Sequence, residues 1–175
     1  MLFRSDFVSL EKHFLVVLQS LLAARVGANL ERFGNRLDAS LIDAVQKGRR
    51  HTAVDLHEAT FAKTRCFNEL QALFERFDVL VSPTLSAPPL PIDMDVSGEI
   101  EIAGRPAGTV RGAWYPYTYP MNLTGHPALS MPCGRSAIGL PIGLQLVGRW
   151  FEEARLLNVA HRFQQATDWH LKVPA

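Results

Sequence analysis

The sequence predicts an α/β fold, because segments with helical spacing of apolar residues alternate with short segments typical of strands. Apolar side chains recur every three or four positions over 6–25, which predicts a helix that is apolar around most of its circumference and buried on several sides. Short apolar runs bounded by proline or glycine predict strands at 79–81, 128–131 and 142–147. A last helix is predicted over 151–166.

Capping and breaking residues define the rest of the N-terminal half. Glycine and asparagine between 26 and 38 break the helical pattern and predict a connection. A short helix follows and is expected to end at Gly48. Thr52, with Asp55 three residues later, predicts the start of a longer helix that runs to Arg76.

Prolines shape the middle of the chain. Four prolines between 83 and 91 predict an extended loop that is neither a helix nor a central strand. The segment 99–104 predicts a small hairpin or loop, and the segment 114–120 is rich in aromatic residues and proline. A chain of 175 residues is long enough to form a hydrophobic core of its own.

Composition excludes several classes of protein. Hydrophobic residues make up 47% and charged residues 20% of the chain, as in soluble globular proteins, and the net charge of +1 predicts no nucleic-acid partner. The apolar stretch 14–24 is too short to predict a membrane span, and the acidic residues ahead of it argue against a signal peptide. Cys66 and Cys133 are too few for a disulfide framework or a zinc site. We therefore expect a cytoplasmic protein without a membrane or nucleic-acid partner.

No generic catalytic motif is complete. His57-Glu58 begins like the helix of a zinc protease, but Phe61 occupies the place of the second histidine. Ser9 and Lys12 match Ser-x-x-Lys, but the accompanying Ser-Asp-Asn and Lys-Thr-Gly motifs are absent from the sequence. The six histidines show no metal-ligand spacing and are interpreted as surface or capping residues. The residues alone therefore predict no catalytic set and no metal site.

Three motifs in the C-terminal half carry a resemblance to a known family. They read FDVLVSPT from residue 77, YPMNLTGHPALSMPCG from residue 119 and GLPIGLQLVG from residue 139. Each motif is weak alone, but the ordered set is specific. It resembles the closing third of amidase-signature enzymes, and the similarity extends from near Leu10 to Trp169.

The resemblance implies both a fold and a reaction. The fold is the C-terminal part of an α/β/α architecture in which helices flank a mixed β-sheet, with residues 1–175 as a single partial domain. The reaction is the hydrolysis of carboxamide C–N bonds in small linear amides, with neither a metal nor an organic cofactor. The family uses a Ser–cis-Ser–Lys triad on a Gly/Ser-rich segment, which this sequence does not contain. We therefore assign no catalytic residue and expect an amidase fragment that is inactive alone.

The resemblance also indicates where a substrate could be held. Four residues lie ahead of the second motif, where family members line the acyl or side-chain pocket: Trp114, Tyr115, Tyr117 and Thr118. An aromatic cluster is equally typical of a hydrophobic core, so both interpretations stay open.

Four further motif residues are interpreted as architectural. Asn122 is suited to hold a turn through its side chain. Gly125 and Gly143 suit a turn or a close approach of two backbones, and Pro127 suits the entry to a strand.

Two positions argue against one branch of the family. Members that transfer ammonia onto misacylated tRNA usually have an aspartate near the position of Tyr115 and an arginine near Asp43-Ala44. Neither is present here, which favours an amidase of less polar or aromatic amides.

Two other functions stay open. The chain could be a non-catalytic interaction module, or a subunit that associates with a separate N-terminal half. It could also be a complete enzyme built on Ser9 and Lys12. A partial domain leaves sheet edges and the apolar segment 14–22 uncovered, so we expect self-association.

Overall fold

A computed structural model describes residues 7–95 and 98–172. The chain divides into two compact units, Met1–Cys66 and Phe67–Ala175. The helices are α1 (Phe7–Val26), α2 (Leu30–Phe33), α3 (Ala39–Gly48), α4 (Ala53–Phe74), α5 (Tyr119–Thr124) and α6 (Glu153–Ala166). The strands are β1 (Leu80–Pro83), β2 (Glu99–Ile102), β3 (Arg105–Thr109), β4 (Ala128–Arg135) and β5 (Pro141–Val147).

The N-terminal unit is built on the packing of α1 against α3. The predicted helix over 6–25 is confirmed for the described residues, since only Asp6 lies outside them. Gly48 makes the close approach possible, because a Cβ atom there would lie 2.0 Å from the backbone oxygen of Gln19. His51 Nε2 lies 2.7 Å from Gln19 Oε1 and ties the end of α3 to α1.

The expected burial of α1 on several sides is wrong for this unit. Among its side chains from Ser9 onward, only Leu10 is buried, and Leu21 is 46% exposed. The helical stretch Ser9–Phe33 is long and apolar enough to cross a membrane by length and composition. A single helix of this kind is weak evidence for a span, because core helices and signal sequences pass the same test.

The predicted connection over 26–38 joins α1 to α3 through short helical turns. It forms two 3₁₀ turns around the single helical turn α2, and Asp38 then caps α3 by accepting a hydrogen bond from Ser40 N at 2.8 Å. Gly27 is buried, and its carbonyl oxygen accepts a hydrogen bond from the Arg49 guanidinium at 2.8 Å. This contact from a distant part of the chain stabilises the turns despite the glycines and asparagines between them.

Helix α4 starts as its capping residues predict. Asp55 N donates to Thr52 Oγ1 at 3.1 Å, and Thr52 N donates back to Asp55 Oδ2 at 2.7 Å. These hydrogen bonds from Thr52 lower the pKa of the Asp55 carboxyl group. The helix buries residues spaced three or four apart, namely Ala59, Ala62, Cys66, Leu70 and Phe74.

The C-terminal unit contains a three-stranded sheet in the order β1-β5-β4, in which both pairs are antiparallel. Side chains alternate between its two faces. One face is apolar, and the other, called here the polar face, carries a polar row next to an apolar row formed by Leu80, Val147 and Ala128. Met131 and Leu146 lie on the apolar face and form a core with Leu156 and Ala160 of α6. Ser82, Gln145 and Ser130 form one row across the other face. The α/β fold class is confirmed, and the strands of this chain pair antiparallel.

Two strand boundaries differ from the predictions. β1 ends at Pro83, two residues later than predicted, and a proline is tolerated there because β1 is an edge strand of the sheet that the described residues form. β4 continues past Pro132 to Arg135 through a register shift between Pro132 and Gly134. The hairpin near 99–104 is confirmed as β2 and β3, joined at Ala103 and Gly104, which both have positive φ.

Candidate functional site

The four candidate substrate-binding residues lie on one continuous segment between β3 and α5. Thr109 begins it by accepting a hydrogen bond from Gly112 N at 3.0 Å, and residues Val110–Trp114 form a π-helical turn. Trp114, Tyr115, Tyr117 and Thr118 are all half-buried, so none is a fully enclosed core residue. We call residues 110–118 the aromatic segment.

The proline-rich loop after β1 supports the aromatic segment. Trp114 Nε1 lies 3.2 Å from both Ala87 O and Pro88 O, and Ser86 N donates to Trp114 O at 2.9 Å. The Ser86 hydroxyl also donates to Ala113 O. The indole N–H can only donate, so the loop pairs with it through backbone carbonyl oxygens. The indole is therefore fixed in place while part of its ring stays accessible.

The other three candidates are held in different ways. The ring centroids of Tyr115 and Trp114 lie 6.1 Å apart in an edge-on arrangement, and the Arg111 guanidinium lies 5.4 Å from the centroid of Tyr115. Thr118 donates its hydroxyl hydrogen to Tyr115 O at 3.1 Å. Tyr117 accepts a hydrogen bond at its backbone oxygen from Gln145 Nε2 at 2.9 Å, which links the segment to the central strand.

Gln145, which makes this hydrogen bond, belongs to the polar face of the sheet. Its members are Ser82, Thr84, Ser130 and Gln145. Thr84 Oγ1 lies 2.7 Å from Ser130 Oγ, across strand β5. Gly143 lies beneath this pair, and a Cβ atom there would be 2.7 Å from Thr84 Oγ1 and 3.0 Å from Ser130 Oγ. The face offers neutral donors and acceptors, suited to groups such as a carboxamide.

Replacing Gly143 with alanine should destabilise the C-terminal unit. The methyl group would separate Thr84 from Ser130, and overpacking with loss of one hydrogen bond predicts a decrease of about 2 kcal/mol in the free energy of unfolding. Urea unfolding measures this change. Gly134→Ala is the matched control, because no heavy atom lies within 4 Å of a Cβ atom there. Equal unfolding midpoints for the two variants would contradict the expected clash.

The motif after the aromatic segment forms a helix and a corner that sequence reasoning missed. Gly125 ends α5 with φ of 75° and donates its N–H to Met121 O at 2.8 Å. Asn122 is exposed on α5, whereas the hydroxyl of Thr124 donates to Pro120 O at 2.9 Å. Pro127 precedes β4 and accepts a hydrogen bond from Gly148 N at 3.0 Å.

His126 is buried, so its interpretation as a surface or capping residue is wrong. It is 4% exposed, and its ring centroid lies 5.1 Å from that of Phe67 and 5.5 Å from that of Phe74. Trp150 lies on the same cluster, with its indole Nε1 donating to Thr124 O at 3.1 Å. Burial lowers the pKa of His126 to about 4. No local pattern marks this position, because its neighbours come from α4 and from the loop after β5.

The described residues contain no group of three or more His, Cys, Asp or Glu side chains that could hold a metal ion. Cys66 and Cys133 form no disulfide among the described residues, and burial raises the pKa of the Cys133 thiol. The site that the geometry supports is therefore the aromatic segment beside the polar face.

Comparison with known proteins assigns the family. A family model described as Amidase matches residues 16–157. The chain belongs to the amidase family. This match confirms the resemblance to amidase-signature enzymes, and it includes the aromatic segment, the polar face and α5.

Curated relatives of this amidase-family chain are subunits of one kind of enzyme. A glutamyl-tRNA(Gln) amidotransferase subunit from Chromobacterium violaceum is 44% identical over 108 residues, which are 62% of this chain and 20% of the relative. The protein of the same name from Lysinibacillus sphaericus is 38% identical over 117 residues, which are 67% of this chain and 22% of the relative. The matched region thus spans about a fifth of the length of these relatives.

Solved amidases share the fold. A bacterial aryl acylamidase of the amidase-signature family matches with a TM-score of 0.78 and 20% identity, covering 95% of this chain and 35% of that one. A 6-aminohexanoate cyclic dimer hydrolase matches with a TM-score of 0.74 and 24% identity, covering 97% of this chain and 36% of that one. At these identities the likeness concerns the fold alone.

Proposed function

We propose that this chain is the C-terminal part of an amidase that hydrolyses carboxamide C–N bonds in small linear amides. The match of residues 16–157 to the amidase family is the observation that carries the proposal. The Gly/Ser-rich segment of the catalytic triad is absent from the 175 residues, so the chain is proposed to be inactive alone.

In this proposal the chain contributes a wall of the substrate site. The aromatic segment supplies accessible ring surface for an aryl or apolar part of the amide. The polar face supplies the accessible hydroxyl groups of Thr84 and Ser130, which can pair with the carboxamide, and pairing is needed once a polar group leaves water. The proposed setting is the cytoplasm, which suits two cysteines that form no disulfide among the described residues.

A second candidate follows from the names of the relatives. Identity of 38–44% to amidotransferase subunits supports a role as part of a subunit that transfers an amide nitrogen and associates with partner subunits. The tyrosine at position 115 and the lack of an arginine at positions 43–44 favour the hydrolase. The two candidates differ in the fate of the nitrogen, which is released as ammonia in the hydrolase and is passed to an acceptor in the amidotransferase.

A chimaera tests the proposal. The matched part of the Chromobacterium violaceum relative is replaced by its counterpart from this chain, and ammonia release is measured from aryl, aliphatic and glutamine-like carboxamides. We expect the chain alone to be inactive and oligomeric, and the chimaera to hydrolyse aryl amides at least about tenfold better, relative to glutamine, than its parent does.

Two variants make the test specific. Trp114→Ala in the chimaera should remove the preference for aryl amides, whereas Trp169→Phe, remote in sequence from the segment, should keep it. A preference unchanged by Trp114→Ala rejects the substrate wall. Amide hydrolysis by the chain alone that disappears in Ser9→Ala would instead establish an enzyme built on Ser9 and Lys12.

A further inference from the structure

We infer that Gln145 is a positioning residue that sets the substrate preference of the aromatic segment through the backbone of Tyr117. The inference rests on the proposed function for its link to substrate. Gln145 itself belongs to the central strand β5 and is 4% exposed, so its side chain lies on the rigid sheet rather than in a loop.

The hydrogen-bond geometry fixes the orientation of the Gln145 amide. Its Nε2 donates to Tyr117 O at 2.9 Å, and a backbone carbonyl oxygen can only accept. The same nitrogen donates to Ser82 Oγ at 3.2 Å, while the hydroxyl hydrogen of Ser82 points to Pro83 O at 3.0 Å. Both amide hydrogens are therefore used, and exchanging the oxygen and nitrogen positions would put an acceptor against Tyr117 O.

This contact is the point where the sheet holds the second half of the aromatic segment. The first half is tied to the proline-rich loop at Trp114, by Ser86 N and by the indole nitrogen. Between Tyr115 and Thr118, the N–H and the hydroxyl of Thr118 both donate to Tyr115 O within the segment, while Thr118 O accepts from Asn122 N of α5 at 3.3 Å and not from the sheet. Loss of the Gln145 amide would thus free the Tyr115–Thr118 turn relative to the sheet.

Gln145 is proposed to act through the backbone of Tyr117. The test therefore needs a measurement that responds to the aromatic segment and not to a general loss of stability of the fold. Hydrogen exchange of the 175-residue chain reports on the segment directly, at the amides of Ser86, bonded to Trp114 O, and of Thr118, bonded to Tyr115 O. In Gln145→Met we expect these two amides to exchange about five- to tenfold faster, as loss of one buried hydrogen bond predicts. Amides of β4 should change by less than about twofold.

Ser82→Ala is the matched control, because it removes the other acceptor of the same amide and leaves the Tyr117 contact in place. It should leave exchange at Ser86 and Thr118 unchanged. Gln145→Glu keeps the length of the side chain and replaces the donor by an oxygen, so it tests the same contact if Gln145→Met does not fold. Unchanged exchange at both amides in the folded variant overturns the inference, whatever the chimaera does.

Activity then separates the inference from the proposed function. In the chimaera, Gln145→Met should raise KM for aryl amides about tenfold while kcat changes less than about threefold, since the segment binds substrate and takes no part in the reaction step. Faster exchange without a change in KM would support the positioning by Gln145 and reject the aromatic segment as a substrate wall. If kcat falls for all substrates and exchange becomes faster throughout the sheet, Gln145 only stabilises the fold. That result would overturn its role in specificity.

Discussion

Replacing Gly48 with alanine is expected to lower the free energy of unfolding of the N-terminal unit by about 3 kcal/mol. An alanine Cβ atom would lie 2.0 Å from the backbone oxygen of Gln19 and 2.5 Å from its carbonyl carbon. Helices α1 and α3 would have to separate, which would also weaken the contact between His51 and Gln19 at 2.7 Å. Thermal unfolding followed by the helical circular dichroism signal measures the loss.

The direction of this change is informative in itself. A glycine to alanine change within a helix normally stabilises it by up to about 1 kcal/mol, because alanine loses less backbone entropy on folding. The expected destabilisation therefore has to come from contact with α1. Gly27→Ala is the control, because its Cβ atom would meet the Arg49 guanidinium at 3.4 Å and Val45 Cγ1 at 3.8 Å, which are ordinary contacts, and should shift stability by less than about 1 kcal/mol.

A second change locates the clash on the backbone. The Cβ atom at position 48 would also lie 2.9 Å from Ala23 Cβ. Adding Ala23→Gly removes that neighbour but leaves the carbonyl of Gln19 in place, so the double variant should stay as unstable as Gly48→Ala, or less stable. Full recovery in the double variant would assign the close approach to the side chain and contradict the backbone explanation.

Gly48 also shows what the sequence could and could not predict. Local patterns predicted the bounds of α1, α4 and α6 and the Thr52 cap, because these depend on residues within about one or two helical turns of each other. The glycine was interpreted as the end of a helix, and α3 does end there. The stronger constraint is its contact with a residue 29 positions earlier, and local periodicity carries no information on such a contact.

The candidate site shows the same limit. The resemblance identified the family correctly, because an ordered set of motifs can be recognised without knowledge of its contacts, and the substrate role of the aromatic segment stays a prediction. The link from Gln145 to Tyr117 and the pair of Thr84 with Ser130 were missed, since each joins residues far apart in the chain. The misjudged burial of α1 has a related cause. An apolar circumference indicates that a helix can be buried, and the partner that buries it lies elsewhere in the chain or outside it.

Lowering the pH from 7 to 4 should destabilise the C-terminal unit through His126 by at most about 3 kcal/mol. In an unfolded chain the imidazole takes up its proton near its ordinary pKa of 6.5, whereas burial lowers the pKa in the folded unit to about 4. The unfolded chain therefore binds more protons between these two values, and stability falls as the pH decreases through that window. Above pH 6.5 His126 is neutral in both states and the free energy of unfolding is not reduced. Well below pH 4 it is protonated in both states, and the free energy of unfolding stops falling.

The surroundings of His126 explain why its pKa is lowered. Thr124 Oγ1 gives its hydrogen to Pro120 O, so it accepts from His126 Nδ1 at 2.9 Å, and the second nitrogen carries the lone pair. Nε2 is buried without a hydrogen-bond partner among the described residues. A proton there would place a charge beside the rings of Phe67 and Phe74, away from water.

Urea unfolding at a series of pH values tests this account. His126→Phe keeps an aromatic ring in the cluster and removes the titrating group, so its stability should vary less between pH 7 and 4 than that of the wild type, by about 3 kcal/mol or less. Phe67→Leu, in the same cluster, should lower stability at every pH and keep the wild-type slope, because the imidazole stays buried. If the free energy of unfolding of His126→Phe still changes with pH as much as that of the wild type, the acid sensitivity comes from other groups. The buried neutral imidazole then has no part in it.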